Sequence, residues 1–155
     1  MLRSEYILHI VEARQLRTLY FGSSEQGLSG ELTPRLPKSA HRTGARLLPT
    51  LYGTNDKSYA AGFTFDWVEQ QGLGFGKYGR KGHYILTIPY SQLRRLRAPC
   101  SIYTIEGYFS RLRTSTPEYV THSPARILHE EKYTSIEDCL HQNNVLVHVV
   151  QVAKG

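Results

Sequence analysis

Along this chain apolar and polar positions alternate over short stretches, the pattern of half-buried strands rather than of amphipathic helices. Tyr6–Glu12 places Tyr6, Leu8 and Ile10 on one face and predicts a strand. Leu19–Phe21 is a short apolar run stopped by Gly22-Ser23-Ser24. From Ser24 to Pro49 the chain is rich in Gly, Pro, Ser and Arg. With only Leu28 and Leu32 as a weak apolar pair, it predicts a helical turn and then a long loop. Thr50–Gly53, His83–Pro89, Ser101–Tyr108, Glu118–Thr121, Ala125–Leu128 and Val145–Val152 read as further strands.

Helices are few. Thr54-Asn55-Asp56 can cap one running from Lys57 to about Phe65 over the small residues Ala60, Ala61 and Gly62. Ser91–Leu96 suits a helical turn, and Thr134-x-x-Glu137 is a capping box opening a helix to about Gln142. Gly72–Gly82 is expected to be irregular, as is a polar loop from Phe109 to Pro117. Strands do not alternate with long helices, which argues against a doubly wound parallel sheet and for an α+β, mostly β, class. At 155 residues, with no internal repeat, one domain spanning 1–155 is expected.

Composition adds little to this until charge is mapped. The chain is 40% hydrophobic and 21% charged, which excludes a disordered or collagen-like sequence. No apolar run is long enough for a membrane helix and no secretory leader is evident, so a cytoplasmic protein without membrane contact is expected. Cys100 and Cys139 are too few for a disulfide framework, and neither they nor the seven histidines show metal-ligand spacing; no metal is expected. The net charge of +6 is concentrated. Lys77, Arg80, Lys81, Arg94, Arg95, Arg97, Arg111 and Arg113 stand against Glu106 alone, and the remainder is close to neutral. Such a segment is either a solvated face or a surface for an anionic partner.

Tyr78, Tyr84, Tyr90, Tyr103, Tyr108 and Phe109 are interleaved with those basic residues, an arrangement that can stack bases while arginines hold phosphates. The same aromatics alternate along predicted strands and can equally fill a core. The Gly72–Gly82 loop could cradle phosphate through its backbone N–H groups, but it lacks the P-loop sequence and reads better as a surface loop. His83, His122 and His129 lie in or beside strands and read as structural.

Three separated segments carry the most specific signal. They are Leu19-Tyr20-Phe21-Gly22-Ser23, then Leu51-Tyr52-Gly53-Thr54 leading into Lys57-Ser58-Tyr59-Ala60, then Pro117-Glu118-Tyr119-Val120 with Ser123-Pro124-Ala125. In this order they resemble the ADP-ribosyltransferase fold, on the side of the poly(ADP-ribose) polymerases and rifampin ADP-ribosyltransferases. The likeness extends from about Leu19 to Leu128. It implies a split pair of small antiparallel sheets with two or three short helices, and NAD as co-substrate.

Carried over residue by residue, the resemblance implies that Gly22 offers its backbone to the nicotinamide carboxamide, with Ser23 beside it. Tyr52 would stack on the nicotinamide ring and Tyr59 would form the other wall. Glu118 would accept from the ribose 2′-hydroxyl and favour the oxocarbenium-like transition state. The Phe109–Pro117 loop would meet the acceptor, and its Arg111 and Arg113 suit an anionic one such as nucleic acid. At the first position the polymerases carry His and this chain carries Phe21, so a polar contact worth about 0.5–1.5 kcal/mol is lost or supplied elsewhere.

Two readings follow. One is an NAD-dependent ADP-ribosyltransferase-like enzyme acting on an anionic target, with Tyr52 and Glu118 central. The other is a non-catalytic nucleic-acid- or nucleotide-binding module on the same fold. An RNA 2′-phosphotransferase is a weaker third, because no dedicated basic set for its phosphate stands out.

Overall fold

The computed structural model describes residues 13–36, 48–65, 74–77, 82–112 and 115–151. The expected strand at Tyr6–Glu12 lies outside them. The protein is α+β and mostly β, as the apolar pattern predicts. By contact the chain divides into two compact units: Met1–Phe21, Leu28–Asp56 and Tyr103–His129 in the first, Gly22–Gly27, Lys57–Ile102 and Glu130–Gly155 in the second.

Most residues of a six-stranded sheet fall in the first unit. Its strands are β1 (Gln15–Ser23), β2 (Glu31–Leu32), β3 (Leu51–Thr54), β6 (Cys100–Arg111), β7 (Glu118–Thr121) and β8 (Ala125–Tyr133), in the order β1-β3-β7-β6-β8-β2. Because β1 also pairs with β6, the sheet curls on itself and turns one face inward. That face carries Leu19, Leu32, Leu51, Tyr103, Ile105, Phe109, Tyr119 and Ala125, with Phe21, Leu28 and Ile127 packed against them. Strand parity explains the set: Tyr103, Ile105 and Phe109 share the odd face of β6, with Gly107 between. A Cβ at Gly53 would lie 3.0 Å from the Leu19 side chain, so the inward face is filled to contact. The Tyr103 hydroxyl accepts from Leu28 N–H at 3.1 Å, leaving the ring buried without stranding its polar end.

The second unit holds a three-stranded sheet, β4 (Gly74–Lys77), β5 (Tyr84–Pro89) and β9 (Leu146–Val150), in the order β4-β5-β9. With it go α1 (Lys57–Gly62), a 3₁₀ helix (Tyr90–Arg97) and α2 (Ile136–Gln142). Tyr59, Phe63, Phe75 and Tyr84 form an aromatic cluster with centroids 4.9–5.9 Å apart. Gln26 Nε2 donates to the Cys100 and Tyr133 carbonyls at 2.9 and 3.0 Å, and Glu130 accepts from Ser101 Oγ and Gly27 N–H.

Several expectations are corrected. Gly74–Lys77 is a strand, not an irregular loop, because it pairs with β5 from Gly74↔Thr87 to Lys77↔Tyr84 and lays Phe75 under Gly62. The helical turn at Leu28 and Leu32 is replaced by the two-residue strand Glu31–Leu32, paired to Arg126 and Ala125. The two sheets are not both antiparallel: β5 and β9 run parallel. The first capped helix stops at Gly62. The second is capped by Ser135, not Thr134; Ser135 Oγ accepts from Asp138 N–H at 3.0 Å, while Thr134 bonds the Asp138 carboxylate. Finally, β6 runs to Arg111, taking in residues expected in the Phe109–Pro117 loop, and β8 continues past Leu128 to Tyr133.

Candidate functional site

Strand β3 pairs antiparallel with β7, with Tyr52 opposite Val120 and Thr54 opposite Glu118. Opposed residues on such a ladder share a face, and so do residues two apart on one strand. Tyr52 and Glu118 therefore lie on the same face as diagonal neighbours, a relation that separates positions by about 7–8 Å. This is the face turned away from the apolar cluster, since Leu51, Gly53 and Tyr119 take the other. Tyr52 keeps 47% of its surface exposed and Glu118 is half-buried.

Neighbouring groups fix this pair. Tyr20 on β1 is opposite Thr54, so Tyr20, Thr54 and Glu118 form one row across three strands. Glu118 N–H donates to the Thr116 carbonyl at 2.9 Å and its carbonyl accepts from Leu112 N–H at 3.0 Å, so the backbone carrying the carboxylate is held on both sides. On the opposite face, Tyr119 receives the Arg17 guanidinium 4.7 Å over its ring and its hydroxyl accepts from Asn55 Nδ2 at 3.4 Å. Thr54 Oγ1 accepts from Asp56 N–H at 3.0 Å, turning the chain directly after β3.

The remaining residues fall elsewhere. Phe21 has the parity of Leu19 and packs against the core cluster, on the face opposite Tyr52. Phe109 is fully buried in that cluster and offers no ring surface to an acceptor; the expectation that it binds substrate is corrected. Arg111 is exposed at the end of β6, and Arg113 lies outside the described residues.

Gly22, Ser23 and Tyr59 belong to the second unit. A Cβ at Gly22 would sit 1.9 Å from the Ala60 carbonyl oxygen, so the glycine is required by close approach of α1. Ser23 Oγ accepts from Glu25 N–H at 3.0 Å and shapes a turn. Tyr59 is 6% exposed within the aromatic cluster.

Sequence reasoning passed over Tyr20. Its signal was present: Tyr20 is one residue out of phase with Leu19 and Phe21, so it must face away from the core they share. The histidine expected to be structural at 122 bonds the Pro49 carbonyl through Nδ1 at 2.9 Å. Among the described residues no group of three or more His, Cys, Asp or Glu is arranged to hold a metal ion, and no helix is long and apolar enough to cross a membrane.

No protein-family model, curated protein or solved structure matches this chain.

Proposed function

We propose that the chain is an NAD-dependent ADP-ribosyltransferase-like enzyme that cleaves the nicotinamide N-glycosidic bond and passes ADP-ribose to an anionic acceptor. The observation that carries this reading is the placement of an exposed aromatic ring, Tyr52, diagonal to a carboxylate, Glu118, on one face of paired strands. A flat cationic ring joined to a sugar matches such a pair. The ring stacks on Tyr52, and the Glu118 carboxylate accepts from a ribose hydroxyl. It also stabilises the positive charge that grows at the anomeric carbon as the C–N bond opens. Nicotinamide leaves with the bonding electron pair, which neutralises its pyridinium charge. An acceptor oxygen then bonds the anomeric carbon and releases its proton to water.

The test is nicotinamide release from NAD by the full chain, with and without added nucleic acid. Glu118→Gln is expected to lower turnover on the order of 100-fold or more with an unchanged melting temperature. Undiminished turnover in that variant, or no release by the wild-type chain, overturns the reading.

A second reading, a nucleotide- or nucleic-acid-binding module without turnover, is favoured by Phe21. Its ring fills the core, so position 21 supplies no polar group on the face of Tyr52. Binding of labelled NAD without nicotinamide release is its signature.

A further inference from the structure

The 3₁₀ helix Tyr90–Arg97 carries neither Tyr52 nor Glu118, and its surface deepens the nucleic-acid-binding reading rather than the transferase one. Eight residues is long for this helix type, which seldom exceeds three or four. With three residues per turn, side chains at i and i+3 eclipse, so the helix has three distinct rows. Gln92 and Arg95 form the packed row: the Arg95 guanidinium lies 4.1 Å over the Phe65 ring and donates to Gln92 Oε1 at 2.9 Å. Tyr90, Leu93 and Leu96 form a graded row, from 67% and 38% exposed to buried. Ser91, Arg94 and Arg97 form a row that is exposed throughout.

Arg94 and Arg97 therefore stand on one ridge roughly 6 Å apart, three residues at about 2 Å rise. Among the described residues neither has a hydrogen-bond or ion-pair partner. No Asp or Glu occurs in the sequence between Glu69 and Glu106. Among the described residues, α2 brings acids toward this helix, where Ile136 N–H donates to the Ala98 carbonyl at 2.8 Å. There Asp138 is held by Thr134 Oγ1, and Glu137 forms no ion pair with either arginine. Two like charges held side by side without a counter-ion repel one another, and an anionic ligand spanning both relieves that repulsion.

We infer that the Ser91–Arg94–Arg97 ridge, with Tyr90 beside it, is a contact surface for single-stranded nucleic acid. Guanidiniums hold consecutive phosphates by paired N–H donors. An exposed tyrosine ring gives an unstacked base a platform, which a duplex would not use. The surface includes neither Tyr52 nor Glu118, so it stands apart from the transferase reading: nicotinamide release tests one, oligonucleotide binding the other.

The experiment is fluorescence anisotropy of a labelled oligo-uridine or oligo-thymidine strand titrated with the full chain at salt from 50 to 200 mM. Arg94→Gln/Arg97→Gln is expected to weaken binding about tenfold or more at the lowest salt. It should also flatten the plot of log affinity against log salt by about 1.4, two phosphates at about 0.7 each. Tyr90→Ala should weaken binding several-fold with the salt slope unchanged. Arg126→Gln, whose guanidinium already pairs with Glu106 at 3.0 Å, should bind like wild type. Circular dichroism of each variant establishes that the fold is kept. Wild-type affinity and slope in the double variant overturn the proposal, as does a wild-type chain that ignores the oligonucleotides. Binding to phosphatidylserine vesicles in place of the oligonucleotides overturns it too.

Discussion

Tyr52 and Tyr59 lie either side of one turn in the sequence, yet Tyr52 keeps 47% of its surface exposed and Tyr59 keeps 6%. Tyr52 sits on a strand of the first unit, on the face opposite the core. Tyr59 sits on a short helix of the second unit, inside a cluster with Phe63, Phe75 and Tyr84. The resemblance groups them as two walls of one pocket, while burial gives them different work. An aromatic ring exposed on a strand face can meet a ligand; one enclosed by other rings is committed to stability.

Substitution separates the two most directly. Tyr59→Ala is expected to cost about 3 kcal/mol, lowering the melting temperature by roughly 10 °C for a chain of this size. Tyr52→Ala should stay within about 0.5 kcal/mol of wild type and, on the transferase reading, lower nicotinamide release. Equal losses of stability would erase the distinction. Gly22→Ala comes next: a methyl group cannot share space with the Ala60 carbonyl, and overpacking of this kind costs about 1–3 kcal/mol, read by chemical denaturation. A neutral outcome would show that β1 and α1 can separate locally without loss.

The smallest effect is on pH dependence in the second unit. Burial lifts the Tyr133 hydroxyl well above the ordinary tyrosine value. It resists ionising in the folded chain but ionises freely once unfolded. Its contribution to stability is therefore complete below about pH 10 and declines as pH rises further, at up to about 1.4 kcal/mol per pH unit. Thermal melts from about pH 8 to 11 should show the decline, and Tyr133→Phe should reduce it.

Much of the fold was legible where local signals agree. Pro89 ends β5, and Glu118–Thr121 appears as predicted. The second capped helix closes at Gln142 as expected, with its box shifted by one residue because Ser135 rather than Thr134 takes the extended cap conformation. Gly74–Lys77 was not legible, since two glycines in four residues look like a loop until β5 pairs with them. Phe109 shows the other kind of miss: Tyr103, Ile105 and Phe109 share one parity, and Gly107 interrupts the apolar pattern without interrupting the strand. For the candidate site, Tyr52 and Glu118 came from motif order, and strand register alone relates them. That Phe21 faces the core is a matter of phase with Leu19, which motif matching does not weigh.

The parallel pairing of β5 with β9 has a kinetic consequence. Ile85 meets Leu146 and Thr87 meets His148, contacts separated by about sixty residues of chain, whereas β4 reaches β5 by a short connection. Until β9 arrives, β5 has one satisfied edge and one open row of backbone donors and acceptors. Closing that edge is the most non-local pairing in this sheet, and the loop-closure cost of bringing β9 to β5 bears on its folding rate more than on its stability.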